Sequence, residues 1–548
     1  MFKKYRSSGF PLLLAVSVLL VACSGGGGNS GTTTPTGPGT VPTVPPATPG
    51  LVSGASGFAA NCSGVSNQGT LYTNAEVEPH VAINPTNPNN LIGTWQQDRW
   101  SGGAAQGIGV GASFDAGATW ALGTLPVSRC GGGNAANGGD YDRASDPWVT
   151  FSPNGVAYQL SLGVSGATLQ AGSSSAMLVS RSTDGGRSWA SPVTLLRDGA
   201  QFFNDKNSIT ADATDSRYVY AVWDRLTSNN RGPSVLARTT DSGATWEPAR
   251  AIYDPGVGNQ TIGNVVATLP DGIVVNFFTQ LNTVGNSLVG SFAVIRSLDK
   301  GLTWSTPITI SNFLGIGTRD PETGAAIRDS GFLGQISVGA QGQLYVVWQD
   351  ARFSGGLRDA IALSRSQDGG LTWSAPVRVN ADTTVQGLIP TVNARADGMI
   401  GVSYFDMRSN TVDPTTLLTD YWLATSRDGV NWTDRRIAAA FDLSVAPVAR
   451  GFFLGDYMGL VSAGSNFYPF YTRTNNGNTA NRNDVFMTPI NVPTSSAQAS
   501  VSARAEAPFA TGISAEFAQR VHENIARQME RRVPGFSKMR GTRPPSLP

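Results

Sequence analysis

The sequence predicts an all-β chain folded as a β-propeller, with one helix at its C-terminal end. Three observations carry this. An eight-residue pattern with a central Asp and a terminal Trp recurs six times, one copy being a residue short, at blade-sized intervals. Strands of alternating polarity run in phase with it. Gly and Trp are abundant, at 65 and 12 of 548 residues, as expected for many tight turns anchored by large aromatic rings. Apolar residues make up 40% of the chain, enough for a sizeable core, while only 14% are charged and the net charge is +1. That balance leaves no electrostatic footprint for nucleic acid.

Residues 1–22 read as a targeting segment. Lys3, Lys4 and Arg6 precede an apolar run over residues 10–22. The run is too short to cross a membrane as a helix and suits a signal peptide. It ends Leu20-Val21-Ala22-Cys23, which resembles the bacterial lipobox. That resemblance implies an exported protein, lipidated at Cys23 and anchored in the cell envelope. Ser24 rather than Asp at the next position points to the outer membrane, facing the periplasm or the surface. A plain secretory signal is the alternative. Residues 23–50 are rich in Gly, Thr and Pro, with little to bury, and read as a disordered tether. With Cys23 lipidated, Cys62 and Cys130 remain. An oxidising compartment favours a disulfide between them, two separate buried thiols being the alternative.

Residues 51–492 read as the propeller. The repeated pattern is SFDAGATW (113–120), STDGGRSW (182–189), TTDSGATW (239–246), SLDKGLTW (297–304), SQDGGLTW (366–373) and the shorter SRDGVNW (426–432). Its central residues, Asp115, Asp184, Asp241, Asp299, Asp368 and Asp428, lie 69, 57, 58, 69 and 60 residues apart. Such a span fits one four-stranded blade with variable loops. The carboxylate can accept backbone N–H bonds of its own turn, the Gly supplies a positive φ, and the Trp folds back between layers. The motif is therefore a hairpin clasp, fully used in holding a turn. Before the clasps run NLIGTWQQD (90–98), GVAYQLSL (155–162), YVYAVWD (218–224), GIVVNFFTQ (272–280), LYVVWQD (344–350) and MIGVSYFD (399–406). Inner-strand candidates such as PHVAINP (79–85) and PWVTFSP (147–153) lie upstream. NFYPFYTR (466–473) and DVFMTPINV (484–492) form a seventh set without a clasp. Seven blades are favoured. Six would require the first and last sets to share a blade.

The tail, 493–548, carries Ile513, Phe517, Val521, Ile525 and Met529 at a spacing of four. This predicts an amphipathic helix over about 514–531, capped by Ser514 and ended by Pro534. The helix is expected to dock on the propeller. A partner or a membrane surface are the alternatives.

Repeated clasps at blade spacing resemble the Asp boxes of the sialidase (neuraminidase) superfamily, over roughly residues 70–492. The resemblance implies that the Asp boxes join the third and fourth strands of each blade, on the face opposite the active site. Loops after the second strands would then open on the functional face. Those loops carry Asp98-Arg99, Asp224-Arg225, Asp350-Ala351-Arg352 and Asp406-Met407-Arg408, and then Arg473. The inner-strand entries add Glu76, Glu78, Asp142, Arg143, Asp146, Asp205, Lys206, Asp329, Asp456 and Tyr457. Each Asp–Arg pair reads either as a local salt bridge between blades or as part of a converging anion site.

In the superfamily, three Arg residues grip the carboxylate of sialic acid, a Tyr paired with a Glu is the nucleophile, and an Asp is the acid/base. Carried onto this sequence, the substrate-binding candidates are Arg225, Arg352 and Arg408. The catalytic candidates are Tyr457 with Glu322 as its partner, and Asp98 or Asp146. The chain departs from the family pattern in one respect. It lacks the Arg-Ile-Pro tripeptide of the first blade, where it reads AEVEPHVAINP (75–85).

With two His residues, His80 and His522, a multi-His zinc site is excluded. No nucleophile elbow surrounds a Ser. Asp-rich turns such as NDKNS (204–208) could hold Ca²⁺ but lack an EF-hand pattern, so no cofactor is expected, with Ca²⁺ as the alternative. The expected function is a cell-envelope exo-α-sialidase-like glycoside hydrolase acting on anionic glycans. A propeller that binds glycan or protein without turnover is the alternative, and a monomer is expected.

Overall fold

The computed structural model describes residues 49–65, 68–227, 230–494, 513–533 and 536. The expected signal peptide, Cys23 and nearly all of the Gly/Thr/Pro tether lie outside the described residues, as does the basic end of the tail.

Seven four-stranded antiparallel units make up the body. In the first, Val77–Asn84, Asn87–Trp100, Ala105–Ser113 and Ala121–Leu125 follow one another from the axis outward. The second runs from Arg143–Phe151 to Val193–Asp198, and the third from Phe202–Ala211 to Arg250–Tyr253. The fourth runs from Gln260–Thr268 to Ile308–Asn312, the fifth from Gln335–Val338 to Val377–Arg378, and the sixth from Gly387–Ala394 to Thr433–Arg436. The innermost strand of each blade packs on that of the next, and the ring closes between Gly459–Ala463 and Val77–Asn84. The fold is a seven-bladed propeller.

The seventh blade explains why only six clasps exist. Its strands Gly459–Ala463, Asn466–Thr474 and Asn483–Met487 come from the C-terminal side, but its outermost strand is Gly50–Leu51. A clasp joins third and fourth strands in sequence. Here those strands lie at opposite ends of the propeller, so no hairpin connects them. The adjoining Val52 donates its N–H to Val485 O at 2.9 Å and is buried. The first and last segments do share a blade, yet the count stays at seven.

Each clasp is made as its residues dictate. In the fourth blade the Asp299 carboxylate accepts from Thr303 N–H at 2.8 Å and from Thr303 Oγ1 at 2.6 Å, while Ser297 Oγ accepts from Gly301 N–H at 2.8 Å. In the shorter sixth clasp Asn431 replaces the hydroxyl residue, donating to Asp428 from its N–H at 2.8 Å and its Nδ2 at 2.7 Å. Register fixes the face. In the fifth blade Leu344 pairs with Ser366, where the clasp begins, and Asp350 pairs with Ala360 at the far end. The second-strand Asp residues thus stand at the face opposite the clasps.

One α-helix is present among the described residues, Ala515–Arg532, with Ser514 Oγ accepting from Phe517 N–H at 3.1 Å. Its stripe of Phe517, Val521, Ile525 and Met529 is buried in the same core cluster as Phe313, Leu314, Ile316, Phe332 and Leu333. The helix therefore docks on the propeller. It does so on the non-clasp face.

Candidate functional site

The innermost strands share a local defect at their entry ends. In five blades one extra residue interrupts the pairing with the second strand, between Val77 and His80, Ser145 and Trp148, Asp205 and Ser208, Ile262 and Val265, and Leu388 and Thr391. The bulged residue is left-handed in every case: Glu78 (φ 54°), Asp146 (50°), Lys206 (48°), Gly263 (66°) and Ile389 (50°). For a non-glycine residue this conformation costs on the order of 1 kcal/mol or more, and bulges re-aim a side chain. Here three consecutive bulges deliver charged groups to one point. Lys206 Nζ lies 3.2 Å from Asp146 Oδ2 and 3.9 Å from Glu78 Oε1, and 2.6 Å from Asp456 Oδ2 of the last blade.

Arg328 completes this cluster, gripping Asp456 through Nε at 3.0 Å and Nη2 at 2.5 Å. The electrostatics follow from burial and pairing. Burial would raise the Asp456 carboxyl, but Arg328 and then Lys206 outweigh it and hold it far below the usual range. Burial pushes Glu78 up to about 8, Asp146 adding repulsion and Lys206 opposing. His80, pulled down to about 3 by burial, is neutral; it stacks on Trp148 at 3.9 Å and accepts from Val149 N–H through Nδ1. Among the described residues no group of three or more His, Cys, Asp or Glu has a metal-holding arrangement. Lys206 occupies the centre of the carboxylates instead.

Beside the cluster opens a cavity of about 350 Å³. Its walls hold Arg99, Arg143, Lys206, Arg328, Arg450, Arg531 and Arg532 against Asp146, Asp205, Asp329 and Asp456. Cations outnumber carboxylates seven to four, so the cavity is electropositive. Arg99, Arg143 and Arg531 are each pulled down to about 10, burial being the main cause. Buried guanidinium groups without enough counter-charge are groups that gain from an incoming anion.

The residues expected from sequence are distributed differently. Of the catalytic candidates, only Asp146 lines the axial cavity. Tyr457 is 5% exposed and donates its hydroxyl to Pro147 O at 2.9 Å. Its expected partner Glu322 accepts from Asn410 Nδ2 at 2.7 Å over a second cavity, so the structure makes no Tyr–Glu pair. Asp98 fastens the N-terminal segment, accepting from Asn74 N–H at 2.9 Å, Ser56 Oγ at 2.7 Å and Gln106 Nε2 at 2.8 Å.

The expected arginine trio does not converge. Arg225 grips Asp198 of the preceding blade with two bonds of 2.7 Å. Arg352 pairs with Asp350 and reaches Ser311 and Asn312 of the preceding blade. Arg408 pairs with Asp406 and lies over Trp422 at 3.6 Å. Side chains at the exit of a second strand point toward neighbouring outer strands, so these guanidinium groups stitch or stiffen blades. Asp224, read as the partner of Arg225, is instead met by Arg532 of the helix. Cys62 and Cys130 form a disulfide that closes a 68-residue separation.

Arg328, Arg450, Arg531 and Arg532 were not legible as site residues. They lie in the two-residue strand Ile327–Arg328, in a bend at Arg450 and in the C-terminal helix, outside the repeated second strands. The signal available for the bulges was the recurrence of Pro or Asn one residue later, at Pro79, Pro147, Asn207, Asn264 and Pro390.

No family model matches the chain. Among solved structures, a protein of unknown function from Dyadobacter fermentans is 14% identical over 83% of this chain and 100% of that one, with a TM-score of 0.43. An α-L-arabinofuranosidase from Fusarium graminearum is 11% identical over 78% of this chain and 98% of that one, with a TM-score of 0.39. A leech intramolecular trans-sialidase is 13% identical over 81% of this chain and 71% of that one, with a TM-score of 0.39. At such values no activity transfers to this chain.

Proposed function

We propose that the protein is a glycoside hydrolase acting on anionic glycans, working at the axial cavity and tethered to the cell envelope through Cys23. The observation that carries the reading is the excess of guanidinium groups around that cavity, which suits a sugar bearing a carboxylate or a sulfate. Carboxyl chemistry replaces the tyrosine nucleophile expected from the family resemblance, because the Tyr457 hydroxyl is committed to Pro147 O. Asp146 faces the cavity, with Oδ1 accepting from Ser145 Oγ at 2.6 Å and Oδ2 3.2 Å from Lys206 Nζ. Glu78, beside the same Lys206, is the group able to hold a proton at neutral pH. Two carboxyl groups in contrasting environments are what acid/base cleavage of a glycosidic bond requires.

A second reading has its own support. Lys206, Arg328 and Asp456 already satisfy one another, as they would in a rigid binding site without turnover. Fluorogenic α-sialosides and β-glucuronides, with a neutral galactoside as control, separate the two. Release of fluorophore from an anionic glycoside by the wild type supports the hydrolase. Saturable binding of the same sugars with no release across pH 4–9 sinks it and leaves the binding module.

A further inference from the structure

We infer that the C-terminal helix is part of the ligand site, with Arg531 supplying a guanidinium that grips the anionic group of the sugar. The inference rests on the reading of the axial cavity as an anionic-glycan site, and it names a binding residue that lies outside the propeller.

The seat of the helix is built, not incidental. Gly356, Gly331 and Gly317 all have positive φ, and a Cβ at each would come within 2.5 Å of Phe517, 2.5 Å of Gln528 and 2.6 Å of Asn524 respectively. Residues 517, 524 and 528 lie on one helical face, so three backbone positions of the propeller are shaped to that face. Polar bonds fix the axial position. Arg520 donates to Gly356 O at 2.7 Å, Asn524 Nδ2 to Gly315 O at 3.0 Å, and Gln528 Nε2 to Asp329 Oδ1 at 2.8 Å. At the far end Arg532 binds Asp205 at 2.6 Å and also meets Asp224.

This seating places the last turn of the helix on the wall of the axial cavity, where Gln528, Arg531 and Arg532 all contribute. Arg532 is neutralised there by its two carboxylates. Arg531 is not. It donates to Ile327 O at 3.4 Å, its Nε has no hydrogen-bond partner, and it makes no ion pair among the described residues, Asp329 acting on it from farther off. A half-buried guanidinium that makes no ion pair, on a cavity wall and held by an element docked through four apolar side chains, is suited to bind an anion. Arg450 and Arg99 line the same cavity, so the anion would be met from the helix and from the propeller together.

The experiment titrates N-acetylneuraminic acid, glucuronic acid and neutral galactose into the full chain, followed by ligand-observed NMR. The wild type, Arg531→Gln, Arg531→Lys, Arg99→Gln and the clasp-face control Arg217→Gln are compared. Binding of an acidic sugar that weakens at least tenfold in Arg531→Gln, recovers in part in Arg531→Lys and is unchanged in Arg217→Gln supports the inference. Each variant is checked for an unaltered thermal midpoint, and loss of binding with an intact midpoint separates a ligand contact from a structural one. If Arg531→Gln binds as the wild type does while Arg99→Gln loses binding, the helix is only a structural cap and the inference is overturned. Tighter binding by Arg531→Gln would mean that the residue blocks the cavity, which also overturns it. If no acidic sugar binds the wild type at all, the anionic-glycan reading itself falls, and the inference with it.

Discussion

Glu78 concentrates the chemistry of the axis in one side chain. It is left-handed, buried and surrounded by Asp146, Lys206 and Asp456. Its ordinary carboxyl value of 4.5 is pushed up to about 8 in the folded chain, chiefly by burial. Between those values the folded chain holds a proton that the unfolded chain has released. Stability from this group is therefore present at low pH and declines as pH rises from about 4.5 through about 8. Glu78→Gln keeps a neutral side chain of the same shape at every pH. The variant and the wild type should unfold nearly alike at pH 4, below the unfolded value. At pH 9 the variant should be the more stable by at least about 1.4 kcal/mol, the equivalent of one pKa unit. Chemical denaturation at the two pH values checks this, and equal stability at pH 9 would refute it. The clasp Asp residues behave oppositely. Asp299 is held down at about 2 by its Thr303 and Ser297 bonds, which outweigh burial, so its contribution is lost only in strong acid.

At the scale of elements, much was readable and the rest was hidden for identifiable reasons. The clasps were legible because each needs a fixed set of residues at fixed offsets. The second strands were legible because period-two alternation is a local signal. The helix was legible from its four-residue apolar spacing, and it spans Ala515–Arg532. The convergence of side chains was not legible. Arg225 and Arg352 belong to a repeating Asp–Arg pattern, but direction at a strand exit is set by neighbouring blades, and both turn outward. Conversely Glu78, Asp146 and Lys206 share no residue type. What they share is a backbone bulge, marked in sequence only by the Pro or Asn that follows.

The helix seat supplies the test at this scale. Gly356 has φ +86°, and a Cβ there would meet the Phe517 ring at 2.5 Å. Gly356→Ala combines backbone strain with overpacking, a cost of about 1–3 kcal/mol. It should loosen the helix and not the blades. Limited proteolysis should then remove the tail faster, while the β-sheet circular dichroism stays unchanged. Equal protection of the tail in variant and wild type would contradict the seat.

For the whole molecule, closure of the ring decides stability. Six blades are continuous in sequence, whereas the seventh depends on a two-residue strand from the other end of the propeller. Val52, beside that strand, is 3% exposed within the seventh-blade core around Val485 and Met487. Val52→Asp should cost at least the roughly 1.5–3 kcal/mol that burying the side chain contributes. A lowered thermal midpoint is the expected readout, and an unchanged one would mean that the ring holds without this strand. The blade count was legible only by weighing strand sets against clasps. The missing clasp has a topological cause that no local pattern could reveal.

The same closed ring brings Glu78, Asp146, Lys206, Arg328 and Asp456 to one axis from five separate stretches of sequence. We propose that this axis performs carboxyl-based cleavage of an anionic glycoside. It is tested most directly by the turnover rate of Asp146→Asn against the wild type, on an anionic glycoside that the wild type releases. A kcat at least about a hundredfold lower is expected, within the usual range for losing a positioned acid/base group, with KM within a few-fold and the fold intact. A kcat equal to that of the wild type would contradict it.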